Sequence, residues 1–146
     1  MKIIIKGDSG GYGPSYIFYE STLIIDTIKE KISYKRTNSD KHDYSFNIKW
    51  DIATTRGNKG FSSDPDIAYS LMNLFFDIDE AVEDLKQSFT KVSGCDANMF
   101  EITILNFDSV IYSYTSSFSL RKSGAVKLSG LIESIWPKKF PKPEWL

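Results

Sequence analysis

The chain has 146 residues, of which 41% are hydrophobic and 25% charged, and this length and balance fit one soluble globular domain with a substantial core. Eighteen Lys and Arg nearly cancel nineteen Asp and Glu, so no global field would steer the protein to nucleic acid or to an anionic membrane. The first residues are too short an apolar run for a signal peptide, no stretch reaches the length of a membrane span, and the single cysteine, Cys95, fits a reducing compartment. We therefore expect a single cytoplasmic domain over residues 1–146.

Four strands are predicted before the first helix. Ile3 to Ile5 form a short first strand, and aromatic and β-branched residues from Tyr16 to about Ile28 favour a long second strand. Lys29-Glu30 is a weak turn signal, after which Tyr34 lies in a third strand of alternating polarity. The clearest alternation runs from Tyr44 to Ile52. This pattern predicts a sheet with one buried and one solvated face.

The strongest pattern in the sequence is a helix from Asp64 to Phe89. Asp64-Pro65 favours the start of a helix. The Asp carboxylate can accept hydrogen bonds from the first backbone N–H groups, which have no acceptor within the helix, and the N–H that proline lacks would have no acceptor at this position either. Asp77 is a poor helix former, so a break near it into two shorter helices is the alternative. We expect the apolar face of this helix to pack on the strand that carries Phe46, Ile48 and Trp50. Apart from the adjacent pair Leu74 and Phe75, the residues of this face are spaced three or four apart: Ile67, Leu71, Leu74, Phe75, Ile78, Val82, Leu85 and Phe89.

Two more strands and a second helix are predicted after this helix. The segments from Met99 to Phe107 and from Val110 to about Phe118 are joined by a turn at about Asp108-Ser109. Both segments carry apolar residues on both faces, which favours a central or covered position in the sheet. A helix between Ser123 and Ile135 ends before Pro137, and residues 138–146 form an irregular tail. The order ββββ-α-ββ-α predicts an α+β domain, in which two helices cover one face of a largely antiparallel sheet of about six strands.

The glycine-rich loop 7–13 is the segment with the most suggestive chemistry. Its residues Gly7-Asp8-Ser9-Gly10-Gly11 resemble the segment around the nucleophile of chymotrypsin-like serine proteases, which would imply a nucleophile at Ser9. The likeness covers five residues only. A protease of that family has its base and acid before the serine, whereas the only histidine of this chain, His42, follows it. We therefore expect no catalytic residue here.

The same loop could hold a small ligand through its backbone amides, since glycine permits the curvature that such a nest requires. Known phosphate loops lead into a helix, however, and this loop leads into a strand without a following Gly-Lys-Ser or Gly-Lys-Thr. We expect the loop to be mainly a structural connection. Its weak candidates for ligand binding are Asp8, Ser9, Gly10 and Tyr12.

Other signals for a metal, a cofactor or nucleic acid are weak. One histidine and one cysteine lie far apart, and the acidic residues from Asp77 to Asp84 fit a solvated helix face better than a calcium loop. Lys31, Lys35 and Arg36 beside Tyr34 give a local hint of a nucleic-acid surface, which the near-neutral charge of the chain argues against. We expect neither a metal nor a cofactor.

The absence of a catalytic constellation and the supply of aromatic anchors predict a small non-enzymatic protein that binds another protein, for example as an immunity or antitoxin-like protein. The alternative is an enzyme or a small-ligand-binding domain that uses loop 7–13. Nucleic acid and membrane are not expected partners, and a homo-oligomer is left open. A deep pocket containing the loop would favour the alternative, whereas a flat or ridged apolar patch with a polar rim would favour protein binding.

Overall fold

The computed structural model describes residues 1–8, 18–40, 43–49, 65–88 and 100–146. Within these ranges it confirms the predicted α+β fold and the order ββββ-α-ββ-α. The strands are β1 (Lys2–Asp8), β2 (Tyr19–Asp26), β3 (Lys31–Asn38), β4 (Tyr44–Lys49), β5 (Phe100–Asn106) and β6 (Ser109–Ser116), and the helices are α1 (Pro65–Ser88) and α2 (Val126–Ser134).

All six strands form one antiparallel sheet in the order β4-β3-β2-β1-β5-β6. Strand β1 therefore lies inside the sheet, between β2 and β5, although it comes first in the chain. Side chains alternate between the faces, so that Ile3 and Ile5 are buried on the inner face while Lys6 is exposed on the outer face. The inner face carries the core.

Helix α1 runs without a break through Asp77, so the alternative of two shorter helices is wrong. A single Asp costs a helix less than about 1 kcal/mol, and burial of the apolar face outweighs this cost. Leu71, Leu74 and Ile78 belong to the same buried core as the β4 residues Phe46 and Ile48. The expectations for Asp64, Ile67, Trp50 and Phe89 concern residues or side chains outside those described.

The predicted central or covered position of β6 is wrong, because β6 is the edge strand of the described sheet. The register shifts between β5 and β6, where Ile104 faces Tyr112 and Leu105 faces Val110. Ile111 is thus the extra residue of a bulge, and its side chain leaves the simple alternation. Both Val110 and Ile111 are exposed, so apolar residues on both faces do not indicate burial here.

Helix α2 begins later than predicted, at Val126. A turn precedes it, in which the Ala125 N–H donates to Leu120 O at 2.9 Å and Gly124 has a φ of 98°, a conformation that favours glycine. Val126, predicted on the apolar face, is exposed in the first helical turn, whereas Leu128 and Ile132 are buried.

The last residues of the chain seal one end of the sheet, which we call the tail end: it carries Tyr19 and Ser21 and is covered by residues 143–146. Trp145 is fully buried, and its Nε1–H donates to Ser21 Oγ at 2.9 Å. The Glu144 N–H donates to Tyr19 Oη at 2.7 Å, and the Leu120 N–H donates to Trp145 O at 2.7 Å. The tail contains neither helix nor strand, yet hydrogen bonds fix it in the core.

Candidate protein-binding surface

Two hairpin turns project at the end of the sheet opposite to the tail end. Residues 27–30 connect β2 to β3, residues 107–108 connect β5 to β6, and the start of β1 lies between the two turns. Met1 is fixed there, because its carbonyl accepts from the Thr27 N–H at 3.0 Å and from Thr27 Oγ1 at 2.9 Å. Met1 is therefore held against the β2–β3 turn.

Phe107 has an unusual backbone conformation for a bulky residue. It is the first residue of the two-residue turn between Asn106 and Ser109, its φ is 52°, and its side chain is 76% exposed. Turns of this length prefer glycine, asparagine or aspartate where φ is positive. A residue with a Cβ in the left-handed region costs about 1–2 kcal/mol. The turn thus displays an aromatic ring in solvent at a cost in local stability.

Phe107 and Ile28, which is 64% exposed, border a shallow groove of ≈210 Å³ together with Met1. Polar and charged residues surround this groove, namely Lys2, Asp26, Lys29 and Asp108. We call these seven residues the tip surface. Apolar residues with a polar rim resemble the centre and edge of a protein–protein interface.

The acidic rim residue Asp26 is ordered by its neighbours. Its carboxylate accepts from the Lys29 N–H at 3.0 Å and lies 4.0 Å from Lys2 Nζ. Asp26 is largely buried, and the bond to Lys29 also fixes the backbone that carries Ile28. Asp26 therefore helps to hold Ile28 in position.

Of the predicted ligand-binding residues, Asp8 is described, and it lies at the tail end. Gly7 and Asp8 border an open cleft of ≈320 Å³, with Glu20 and Glu101 also at its edge. Asp8 is exposed and stands directly opposite Glu20 in the sheet register. Ser9, Gly10 and Tyr12 lie outside the described residues. The described lining contains neither histidine nor cysteine, so it brings no imidazole or thiol to Asp8.

The charged and aromatic residues of β3 do not form one surface. Lys35 is exposed on the outer face, whereas Tyr34 is buried in the core. Arg36 lies on the inner side, where its guanidinium is 3.7 Å from the ring centroid of Tyr19 and its Nε–H donates to Asn38 Oδ1 at 2.7 Å. Strand alternation divides the cluster that suggested a nucleic-acid surface.

In the described part of the chain, no group of three or more His, Cys, Asp or Glu is placed to hold a metal ion. None of the helices described is both long and apolar enough to cross a membrane.

No known protein family, curated protein or solved structure matches this chain. Its function must therefore be inferred from its own surfaces. Sequence reasoning missed the tip surface, because Ile28 and Phe107 were both assigned to the ends of strands. The available signal was an aromatic residue next to Asp108 at a predicted turn, which is too common a pattern to indicate a binding site.

Proposed function

We propose that this protein acts by binding another protein through the tip surface. The observation that carries the proposal is Phe107, which is held at positive φ with most of its ring in solvent. Neither property stabilises the isolated chain, since glycine would relax the backbone and a polar residue would hydrate better. Strained residues of this kind cluster at functional positions. Phe107 therefore fits the role of an anchor that is buried in a partner.

The shape of the tip surface supports this role. Ile28 and Phe107 stand on two separate turns, so a partner side chain entering between them would contact both. Buried aromatic anchors typically cost at least about 2 kcal/mol of binding free energy when truncated. The charged rim would fix the orientation of the partner. An immunity or antitoxin-like protein, which neutralises a toxin by covering part of its surface, is one example of such binding.

Photo-crosslinking in the native host tests the proposal. We would replace Phe107 by p-benzoylphenylalanine and compare it with the same replacement at Val126, a matched control that is 53% exposed on α2. A discrete adduct is expected at position 107 and not at position 126. The purified partner should then bind the Phe107→Ser protein about tenfold or more weakly, with no fall in melting temperature.

Two results would overturn this proposal. One is the same set of adducts at positions 107 and 126, which would show only random encounter. The other is an unchanged affinity of the purified partner for the Phe107→Ser protein.

A small-ligand-binding role is the second candidate, and the cleft at Gly7 and Asp8 favours it. Asp8 and Glu20 are directly opposed like charges, which destabilise a sheet, and a cationic ligand would relieve their repulsion. Spermidine and free arginine are suitable probes. Either should raise the melting temperature of the wild-type protein and not that of Asp8→Asn. No rise with either probe would remove this cationic-ligand candidate.

A further inference from the structure

The face of α1 that points away from the core joins exposed aromatic residues to exposed carboxylates. Phe76 is 80% exposed and Tyr69 is 62% exposed. They are seven residues apart, so they lie two turns apart on one side of the helix. The exposed carboxylates follow on the same side over the next two turns. We call this set the outer face of α1: Tyr69, Phe76, Asp79, Glu80, Glu83 and Asp84.

This helix carries a large negative charge within a nearly neutral protein. The chain has a formal net charge of −1, whereas α1 contains six Asp and Glu and a single Lys. Like charges four residues apart, as in Asp79 with Glu83 and in Glu80 with Asp84, weaken a helix. These two like-charge pairs therefore do not serve the stability of α1.

The surrounding cations only partly balance these carboxylates. Lys127 of α2 forms an ion pair with Glu80, and Lys86 forms one with Glu83 at 2.7 Å. The pKa of Lys127 is raised above its ordinary value, first by its hydrogen bond with Glu80 and further by the charges of Asp77 and Asp84. A basic group approaching this face is thus stabilised in its charged form by several carboxylates at once.

We propose that the outer face of α1 is a second docking surface, which takes the basic surface of another protein. Phe76 would enter an apolar pocket of that partner, while Lys and Arg side chains of the partner face Asp79, Glu83 and Asp84. Nucleic acid and anionic membranes are disfavoured occupants, because their phosphates would meet the carboxylates. From Tyr69 to Asp84 the face is about 22 Å long, which suits one side of an ordinary interface.

The charges in this interface would act mainly on the rate of association. Complementary potentials steer encounter and are screened by salt, so binding should be faster at low ionic strength. The aromatic anchor would act mainly on dissociation, because its contacts form after encounter. The proposal does not depend on the tip surface, and a substitution at Phe107 should leave this binding unchanged.

A display library of random 16-residue peptides provides a probe that requires no identified partner. Peptides selected on the wild-type protein at 150 mM NaCl should combine Lys or Arg with an apolar residue. Their affinity should fall about tenfold on the Asp79→Asn, Glu83→Gln, Asp84→Asn variant. The matched control removes three exposed carboxylates elsewhere, as Glu30→Gln, Asp40→Asn, Glu144→Gln, and has the same formal net charge. This control and Phe107→Ser should both bind like the wild type.

Phe76→Ser separates docking from general attraction of charge. It should also lower the affinity about tenfold, with little change in the salt dependence of the association rate. Melting temperatures report folding, and the α1 variant should melt no lower than the wild type because its like-charge pairs are removed.

The proposal is overturned if no basic peptide is enriched, if both triple variants lose affinity equally, or if Phe76→Ser binds like the wild type. It is also overturned if sedimentation shows a homo-oligomer that Phe76→Ser dissociates, because a second copy would then be the occupant of this face.

Discussion

The two ends of the sheet differ in how they treat their large apolar side chains: the tail end buries them and the tip surface exposes them. At the tail end, a fully buried Trp145 closes the core, and its indole N–H has an acceptor in Ser21 Oγ. At the tip surface, Ile28 and Phe107 remain exposed, and Phe107 has a positive φ. At the tail end, burial and hydrogen bonding both stabilise the fold. At the tip surface, the exposed apolar side chains and the positive φ of Phe107 both cost stability. Stability and binding should therefore be separable by substitutions at the two ends.

The largest effect is expected from Trp145→Ala. The Trp145 side chain is fully buried, so its truncation should lower the free energy of unfolding by about 3–5 kcal/mol. The backbone bond from the Leu120 N–H to the Trp145 carbonyl can remain in this variant. Urea denaturation measures this change in free energy. Val126→Ala, at an exposed position, is the control and should change the free energy by no more than about 0.5 kcal/mol. A loss below about 1 kcal/mol for Trp145→Ala would show that the tail is not part of the core.

A smaller effect at the same end is expected from Ser21→Ala. This substitution removes the acceptor of the Trp145 indole N–H and the donor to Gly7 O. A buried donor left without a partner costs about 1–3 kcal/mol. Ser45→Ala on the exposed face of β4 is a suitable control in the same denaturation experiment. Equal stability of the two variants would mean that the bond to Trp145 contributes nothing.

At the tip surface, Phe107→Gly should change binding and stability in opposite directions. Relief of the strain at positive φ should raise the free energy of unfolding, and the greater flexibility of glycine in the unfolded chain reduces this gain to at most about 1 kcal/mol. The affinity for the crosslinked partner should fall, because the ring is lost. Phe107→Ser is the comparison, since it removes the ring and keeps the backbone strain. If Phe107→Gly is less stable than Phe107→Ser, the strain at this turn is refuted.

The smallest effect near neutral pH is expected from Tyr34→Phe, between the two ends. The Tyr34 hydroxyl is buried and makes no hydrogen bond with the described residues, so its removal should change the free energy of unfolding by less than about 1 kcal/mol or increase it. Any loss above about 1 kcal/mol would indicate a hidden partner of the hydroxyl.

The same substitution predicts a difference at alkaline pH. Burial raises the pKa of Tyr34, and the positive charge of Arg36 offsets only part of this rise. The folded protein therefore keeps the phenol proton when the unfolded chain has lost it, above a pH of about 10. The stabilisation is complete below that pH and is lost as the pH rises through the folded pKa. Tyr34→Phe should show a shallower loss between about pH 9 and 11; parallel curves would contradict this.

The sequence pattern was sufficient to predict elements whose apolar residues keep one regular spacing throughout. In β4, Phe46 and Ile48 alternate with Asn47 and Lys49, and the structure buries the first pair and exposes the second. The apolar spacing of α1 likewise identified Leu71, Leu74 and Ile78 as core residues. The free energy gained by burying the apolar face of α1 outweighs the low helix propensity of Asp77.

Features that depend on distant residues or on one extra residue were not predictable. The bulge at Ile111 changes which face of the sheet the following side chains of β6 occupy. The hydrogen-bond acceptor of the Trp145 indole, Ser21, lies far away in the sequence. The turn at Phe107-Asp108 was expected one residue later, at Asp108-Ser109, so the exposed ring was missed. Of the predicted ligand residues, Asp8 does border a cleft, but its neighbours there come from β2 and β5, which only the folded sheet brings together.

The position of β1 inside the sheet also has a kinetic consequence. Its pairing with β2 can form as soon as the first hairpin leaves the ribosome, whereas its pairing with β5 joins residues about 100 positions apart. Until β5 has been synthesised, the second edge of β1, with Ile3, Ile4 and Ile5, remains open to other chains. The nascent protein is therefore most prone to aggregation while the ribosome is translating α1, and slow synthesis of that segment should lower the soluble yield.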